Sequence, residues 1–159
     1  MIAIFLSPYP LRGYEAPDLW FFYKALSTLT EPAHFILSKE YFYPSAYWEE
    51  RKRWEPKKYN QDKHGYSLPS QAQLEQCQFS LMDERLFEEN LNKHANSTEF
   101  YNTWLTEEIP DIESNIHSIL SNIPDLEAVL IWNNCVSLNA AAKSLNIPVI
   151  HMEQGSLRQ

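Results

Sequence analysis

Three consecutive segments decide the fold: LEAVLIWNN (126–134), CVSLNAAAKSLN (135–146) and IPVIHMEQGSLR (147–158). Residues 126–132 form a nearly unbroken apolar run, which is typical of a parallel strand with helices on both faces of its sheet. Residues 137–145 are mostly helix formers, and Asn146 and Pro148 predict where that helix ends. Residues 147–152 form a second short apolar run. The sequence therefore predicts a strand–helix–strand unit whose two strands are parallel.

Polar residues follow each of these predicted strands. Asn133 and Asn134 end the first apolar run, and the second is followed or interrupted by His151, Glu153, Gln154, Gly155 and Arg158. In open α/β sheets, ligands bind just beyond the carboxyl ends of the strands. We therefore predict that the functional site lies at this edge of the sheet.

Glu153 is the strongest candidate for chemistry. A carboxylate at the end of a buried strand can have a raised pKa and act as a general acid or base. Gly155 allows a tight turn close to a ligand, and Arg158 offers a fork for a carboxylate or phosphate. Two alternatives remain open from the residues alone. Glu153 and Arg158 can simply pair with each other, and the two asparagines can cap the following helix instead of binding sugar hydroxyls.

The composition of the 159-residue chain fits one domain and excludes several function classes. A formal net charge of −8 argues against nucleic-acid binding. The three glycines form neither GxGxxG nor GxxxxGK, and the histidines lack ligand spacing, so no cofactor and no metal are expected. Cys77 and Cys135 are predicted to be buried thiols. With no run of transmembrane length and no signal peptide, a cytoplasmic location is expected.

The N-terminal third predicts two more strands, at residues 1–6 and 34–37. The loop at residues 7–16 contains Tyr9 and Arg12, which the strand-end rule places toward the same cleft.

Two longer segments separate these strands from the strand–helix–strand unit. Residues 39–69 interleave aromatic rings with Lys and Arg, which predicts an inserted segment. Its rings can simply pack on the body of the domain while its charges stay in water, or the segment can form a surface for an anionic partner such as a polyanionic glycan or a membrane surface. Residues 70–123 are predicted to be helical. One or two helices span 71–94, Ser97 or Thr98 caps a further helix, and Pro110 breaks it. Together the pattern predicts a single α/β domain over 1–159, a Rossmann-like parallel sheet of about four strands flanked by helices.

The segment from His151 to Arg158, after a strand ending in Trp132-Asn133-Asn134, resembles a known family. It is similar to the bacterial capsule and lipopolysaccharide glycosyltransferases that include the retaining β-Kdo transferases. In that family a short strand leads into an E-x-G-x-x-R-like segment, which Glu153, Gly155 and Arg158 match. The family's enzymes have the GT-B architecture, in which two Rossmann-like domains face each other across a cleft.

This resemblance implies that the chain is the N-terminal, acceptor-side half of a longer two-domain enzyme, inactive alone. It implies that the donor is a CMP-activated sugar, which a C-terminal domain binds. It also implies that the acceptor is a glycan or glycolipid at the inner face of the inner membrane. Glu153 would line the catalytic cleft, Tyr9 and Arg12 would lie toward the acceptor, and any nucleophile would lie outside this chain. Two other readings stay open: a non-catalytic glycan- or nucleotide-binding module, and a small α/β hydrolase with Glu153 as general base.

Overall fold

The computed structural model describes residues 1–5, 33–37, 77–132 and 134–152. Within these ranges the elements are β1 (Ile2–Phe5), β2 (His34–Leu37), β3 (Gln78–Leu81), α1 (Glu84–Asn92), α2 (Ser97–Thr106), α3 (Pro110–Ser121), β4 (Ala128–Trp132), α4 (Val136–Ser144) and β5 (Val149–Met152). The predicted insertion at 39–69 and the loop at 7–16 lie outside the described residues.

The five strands form one parallel sheet in the order β3-β2-β1-β4-β5. The strand–helix–strand prediction is confirmed, because α4 connects β4 to its parallel neighbour β5. The α/β prediction is confirmed as well, and the strand order is consistent with a Rossmann-like domain. Among the residues that the structure describes, the sheet has five strands where about four were expected, and the additional one is β3.

The prediction of helix across residues 71–94 is wrong at β3. Leu74, Cys77 and Leu81 have helical spacing, but Gln78–Leu81 instead pairs in parallel with β2. The ring of Phe79 stacks on Phe35 of β2, with centroids 5.5 Å apart. Backbone pairing and this contact outweigh the local pattern, and four residues are too few to display a period of two clearly.

The helix starts follow capping chemistry. Helix α1 begins after Asp83, whose Oδ1 accepts a hydrogen bond from the Arg85 backbone N–H. Helix α2 is capped by Asn96, whose Oδ1 accepts from the Glu99 N–H at 2.9 Å, so the prediction of Ser97 or Thr98 as the cap is wrong. Pro110 opens α3 and separates it from α2, as predicted.

The main hydrophobic core lies between one face of the sheet and the helices α2, α3 and α4. Its buried residues include Phe5 and Ile131 from the strands, Trp104 from α2 and Leu138 from α4. The predicted apolar stripe of α3 is confirmed at Ile112, Ile116, Leu120 and, just past the helix, Ile123. This packing fixes the position of α4 against the sheet, and with it the position of residues 134–135, which lead into α4.

The end of α4 is a Schellman motif. The Asn146 N–H donates to the carbonyl of Lys143 at 3.1 Å, and the Ile147 N–H donates to the carbonyl of Ala142 at 2.9 Å. Asn146 has a φ of 55°, in the left-handed region that this motif requires. The prediction that Asn146 ends the helix is confirmed, and the turn directs the chain into β5.

Candidate functional site

The strand order reverses at one position within the described sheet. From β1 the chain proceeds toward β2 and β3 on one side, whereas β4 and β5 lie on the other side. This reversal between β1 and β4 is a topological switch point, and ligands of open α/β sheets bind at the carboxyl ends of the strands there. We call this position the switch-point edge.

Three strands end close together at the switch-point edge. Phe5, the last residue of β1, pairs with Ile131 of β4, and Trp132 at the end of β4 pairs with Met152 at the end of β5. In the sequence, Asn133 directly follows the end of β4, and Glu153 directly follows the end of β5. The register therefore brings together the ends of the strands from which the predicted site segments continue.

Most of the predicted site residues lie outside the described part of the chain. These are Tyr9, Arg12, Asn133, Glu153, Gln154, Gly155 and Arg158. Their placement stays a prediction. Only Asn134 and His151 of the predicted set have described positions, and the two occupy different surroundings.

Asn134 is held by two hydrogen bonds at the start of the connection from β4 to α4. Its Nδ2 donates to the carbonyl of Leu105 at 3.0 Å, and its Oδ1 accepts from Nδ2 of Asn139 at 2.8 Å. Leu105 lies in the last turn of α2, where carbonyl groups lack partners within the helix. The Asn134 side chain thus ties the β4–α4 connection both to α2 and to α4.

Cys135 and Ser137, which follow Asn134, both make hydrogen bonds within the protein. The N-cap of α4 is Cys135, whose Sγ accepts from the Leu138 N–H at 3.4 Å, so the capping alternative for the asparagines does not describe this helix. Burial raises the pKa of the Cys135 thiol to about 12, which keeps it protonated and unsuited to nucleophilic attack at neutral pH. The buried Ser137 Oγ accepts from the Ile109 N–H at 2.8 Å.

Cys77 has a related but weaker perturbation. Partial burial raises the pKa of its thiol, and a backbone hydrogen bond involving Ala33 partly opposes that shift. Both cysteines carry thiols, as predicted, although Cys77 is only partly buried.

His151 is exposed on β5 and faces the side of the sheet that α4 covers, since it pairs with Ile131. It lines an open surface recess of about 490 Å³ together with Asn139 and Lys143 of α4 and residues 146–149 before and within β5. The recess therefore borders α4, the turn after it and β5.

One contact of Asn134 was not predicted from the sequence, the hydrogen bond that it accepts from the Asn139 amide. In the sequence Asn139 is an ordinary polar residue within a helix, and its partners belong to the β4–α4 connection and, through Asn134, to α2. No local pattern indicates this contact, because it depends on how α2 packs beside α4.

Two further properties bear on the kind of site. Within the described ranges, no three His, Cys, Asp or Glu side chains are grouped closely enough to hold a metal ion. The helices of that same part of the chain are all too short or too polar to cross a bilayer.

Comparison with known families adds the class of protein. The profile of the Glycosyltransferase 99 family N-terminal domain matches residues 4–159, nearly the whole chain. The chain therefore belongs to this family and contains its N-terminal domain. This confirms the resemblance at the level of a glycosyltransferase N-terminal domain. No curated protein matched the chain in a separate comparison.

Proposed function

We propose that this chain is the acceptor-side domain of a glycosyltransferase that builds a bacterial surface polysaccharide, with a CMP-activated sugar such as CMP-Kdo as donor. The observation that carries the proposal is the family match over residues 4–159, which assigns a glycosyltransferase N-terminal domain to nearly the whole chain. The similarity of the segment from His151 to Arg158 to the β-Kdo transferases supports the choice of Kdo.

The sheet topology supports a sugar-binding role for the switch-point edge. The strand order reverses between β1 and β4, and parallel strands with such a reversal leave a crevice at their carboxyl ends. The segments that follow β1, β4 and β5 hold Tyr9, Arg12, Asn133 and Glu153. Aromatic, amide and carboxylate groups can stack on a sugar ring and hydrogen-bond its hydroxyls.

Each of these residues has a separate proposed role. Glu153 acts as acid/base or orients the acceptor hydroxyl. Tyr9 and Arg12 contact the acceptor glycan, and Asn133 hydrogen-bonds a sugar hydroxyl. Gln154, Gly155 and Arg158 shape the segment after β5, where Arg158 offers paired donors to an anionic group. The carboxylate nucleophile of a retaining reaction is assigned to another part of the enzyme.

The proposal includes a partner domain and a location. A C-terminal domain that binds the nucleotide sugar faces the switch-point edge, and the acceptor is a growing glycan or glycolipid. The enzyme works in the cytoplasm at the inner face of the inner membrane, where a lipid-linked acceptor is accessible.

Transfer by the full-length protein tests the proposal. CMP-Kdo is supplied with a panel of fluorescently labelled di- and trisaccharides, and CMP release and product formation are measured. We expect transfer by the wild type and a loss of roughly 10²–10⁴-fold in kcat/KM for Glu153→Gln, the usual contribution of a general acid or base. Glu89→Gln, an exposed acid on α1, is the matched control and retains activity.

Other outcomes would redirect the assignment. Binding of labelled glycans without transfer to any of them would favour a non-catalytic binding module. Hydrolysis by residues 1–159 alone, lost in Glu153→Gln, would favour the small hydrolase. Full activity of Glu153→Gln in the intact protein would remove the proposed role of this carboxylate.

A further inference from the structure

The hydrogen-bonded chain from Leu105 through Asn134 to Asn139 has only one consistent direction. The carbonyl of Leu105 can only accept, so the amide nitrogen of Asn134 faces it at 3.0 Å. The Asn134 oxygen then faces Asn139, which must donate, at 2.8 Å. This fixes the orientation of both side-chain amides, which would otherwise be ambiguous. We call this arrangement the amide clamp.

The amide clamp includes one energetically unfavourable feature. The Oδ1 of Asn139 is buried and has no hydrogen-bond partner among the described residues. A buried acceptor without a partner is unfavourable, so the Asn139 oxygen gives no reason for an amide side chain at this position. What the side chain supplies is the single donor that holds Asn134.

The amide clamp acts on the connection that leaves the switch-point edge. Asn134 is bonded to Asn133, and Asn133 is bonded to Trp132, whose backbone is paired in the sheet with Met152. The clamp therefore holds one covalent neighbour of Asn133, while the sheet holds the other. On the far side of Asn134, Cys135 is buried and caps α4.

We propose that Asn139 is a positioning residue for the substrate site: by orienting the Asn134 amide it fixes the β4–α4 connection where it leaves the switch-point edge. This inference rests on the proposed function in that it assigns the sugar acceptor to this edge. Asn139 itself does not touch the sugar. Asn134 likewise contributes through the clamp, because both ends of its amide are already engaged within the protein.

Isosteric substitution tests the clamp in the full-length protein. Asn139→Asp keeps the shape but sets a carboxylate oxygen against the Asn134 Oδ1, and Asn139→Ala removes the donor without adding charge. Asn139→Gln keeps an NH2 donor and is the rescue variant. Asn122→Asp is the matched control, since it also removes an Asn donor to a carbonyl, that of Ser118, at the opposite end of the sheet.

The first measurement is independent of any ligand. Hydrogen–deuterium exchange of the backbone amides of residues 134, 135 and 138, of which the Leu138 N–H is bonded to Cys135 Sγ, should rise about tenfold in Asn139→Asp and Asn139→Ala, which is the weight of one well-made hydrogen bond. Asn139→Gln should restore much of the protection, and Asn122→Asp should leave it unchanged. Unaltered exchange at these residues in both clamp variants would overturn the proposal.

The second measurement separates positioning from general stability. With CMP-Kdo and the labelled acceptor that the wild type uses best, Asn139→Asp and Asn139→Ala should raise the acceptor KM about tenfold at a temperature well below their melting temperatures. A purely structural role would lower the melting temperature and the active fraction while leaving KM unchanged, and that result would overturn the proposal. Absence of transfer by the wild type itself would count against the proposed function, whereas the exchange experiment would still decide whether Asn139 holds the connection.

Discussion

Strands β4 and β3 belong to the same parallel sheet but differ in how much of their structure is encoded locally. β4 lies between two strands, and Val129 and Ile131 are 0% exposed. β3 lies at an edge of the sheet formed by the described residues, and its Leu81 is 42% exposed. A strand covered on both faces must be apolar throughout, whereas an edge strand need not be. The comparison shows that a strand can be predicted from an apolar run in the sequence when the strand is buried, whereas strand geometry by itself produces no such run.

The largest test of this difference replaces one apolar side chain on each strand, a buried one on β4 and an exposed one on β3. Ile131→Ala should lower the free energy of unfolding by about 2–5 kcal/mol, because it leaves a cavity in the main core. Leu81→Ala should lower it by about 1 kcal/mol or less, since much of that side chain is already in water. Urea unfolding followed by circular dichroism measures both. Equal losses would show that β3 is as deeply integrated into the fold as β4.

A medium-sized effect is expected at the turn that leads into β5. Asn146→Ala should cost about 1–2 kcal/mol, because an ordinary side chain is strained at a φ of 55°. Asn146→Gly should be neutral or slightly stabilising, since glycine adopts this conformation without strain. Thermal unfolding distinguishes the two variants. If alanine and glycine behaved alike, the helix end would not depend on the Schellman motif.

The smallest expected effect is a pH dependence on the β2–β3 side of the sheet. His34 is buried, its Nε2 lies 2.6 Å from Ser80 Oγ on β3, and its Nδ1 has no partner among the described residues. Burial lowers the pKa of His34, and an interaction with the Gln78 side chain only partly opposes that shift, so the unfolded chain binds a proton more readily than the folded one. The contribution to stability is full above the unfolded pKa of about 6.5 and is lost as the pH falls below it.

A neutral variant isolates this contribution from the other titrating groups. The stability difference between wild type and His34→Gln should shift against the wild type as the pH falls from 7.5 to 5. Urea midpoints measured at several pH values provide that difference. A difference that stays constant over this range would show that His34 does not couple the two strands to protonation.

Sequence and structure agree most closely where local patterns and burial coincide. The apolar runs predicted β4 and β5, Pro110 predicted the break before α3, and Asn146 predicted the end of α4. The family resemblance rested on the short segment after β5, and the family match confirms a glycosyltransferase N-terminal domain. The specific sugar, donor and site residues stay proposals.

What the sequence alone determined was therefore the parallel α/β character of the chain and the elements with an apolar face. Only the tertiary structure decided that Gln78–Leu81 is a strand, because its partner strand β2 lies more than 40 positions earlier in the chain. Only the tertiary structure joined Leu105, Asn134 and Asn139, since their amides meet through the packing of α2 beside α4. Hydrophobic periodicity records which face of an element is buried, but it does not record which distant polar groups that burial brings within hydrogen-bonding distance.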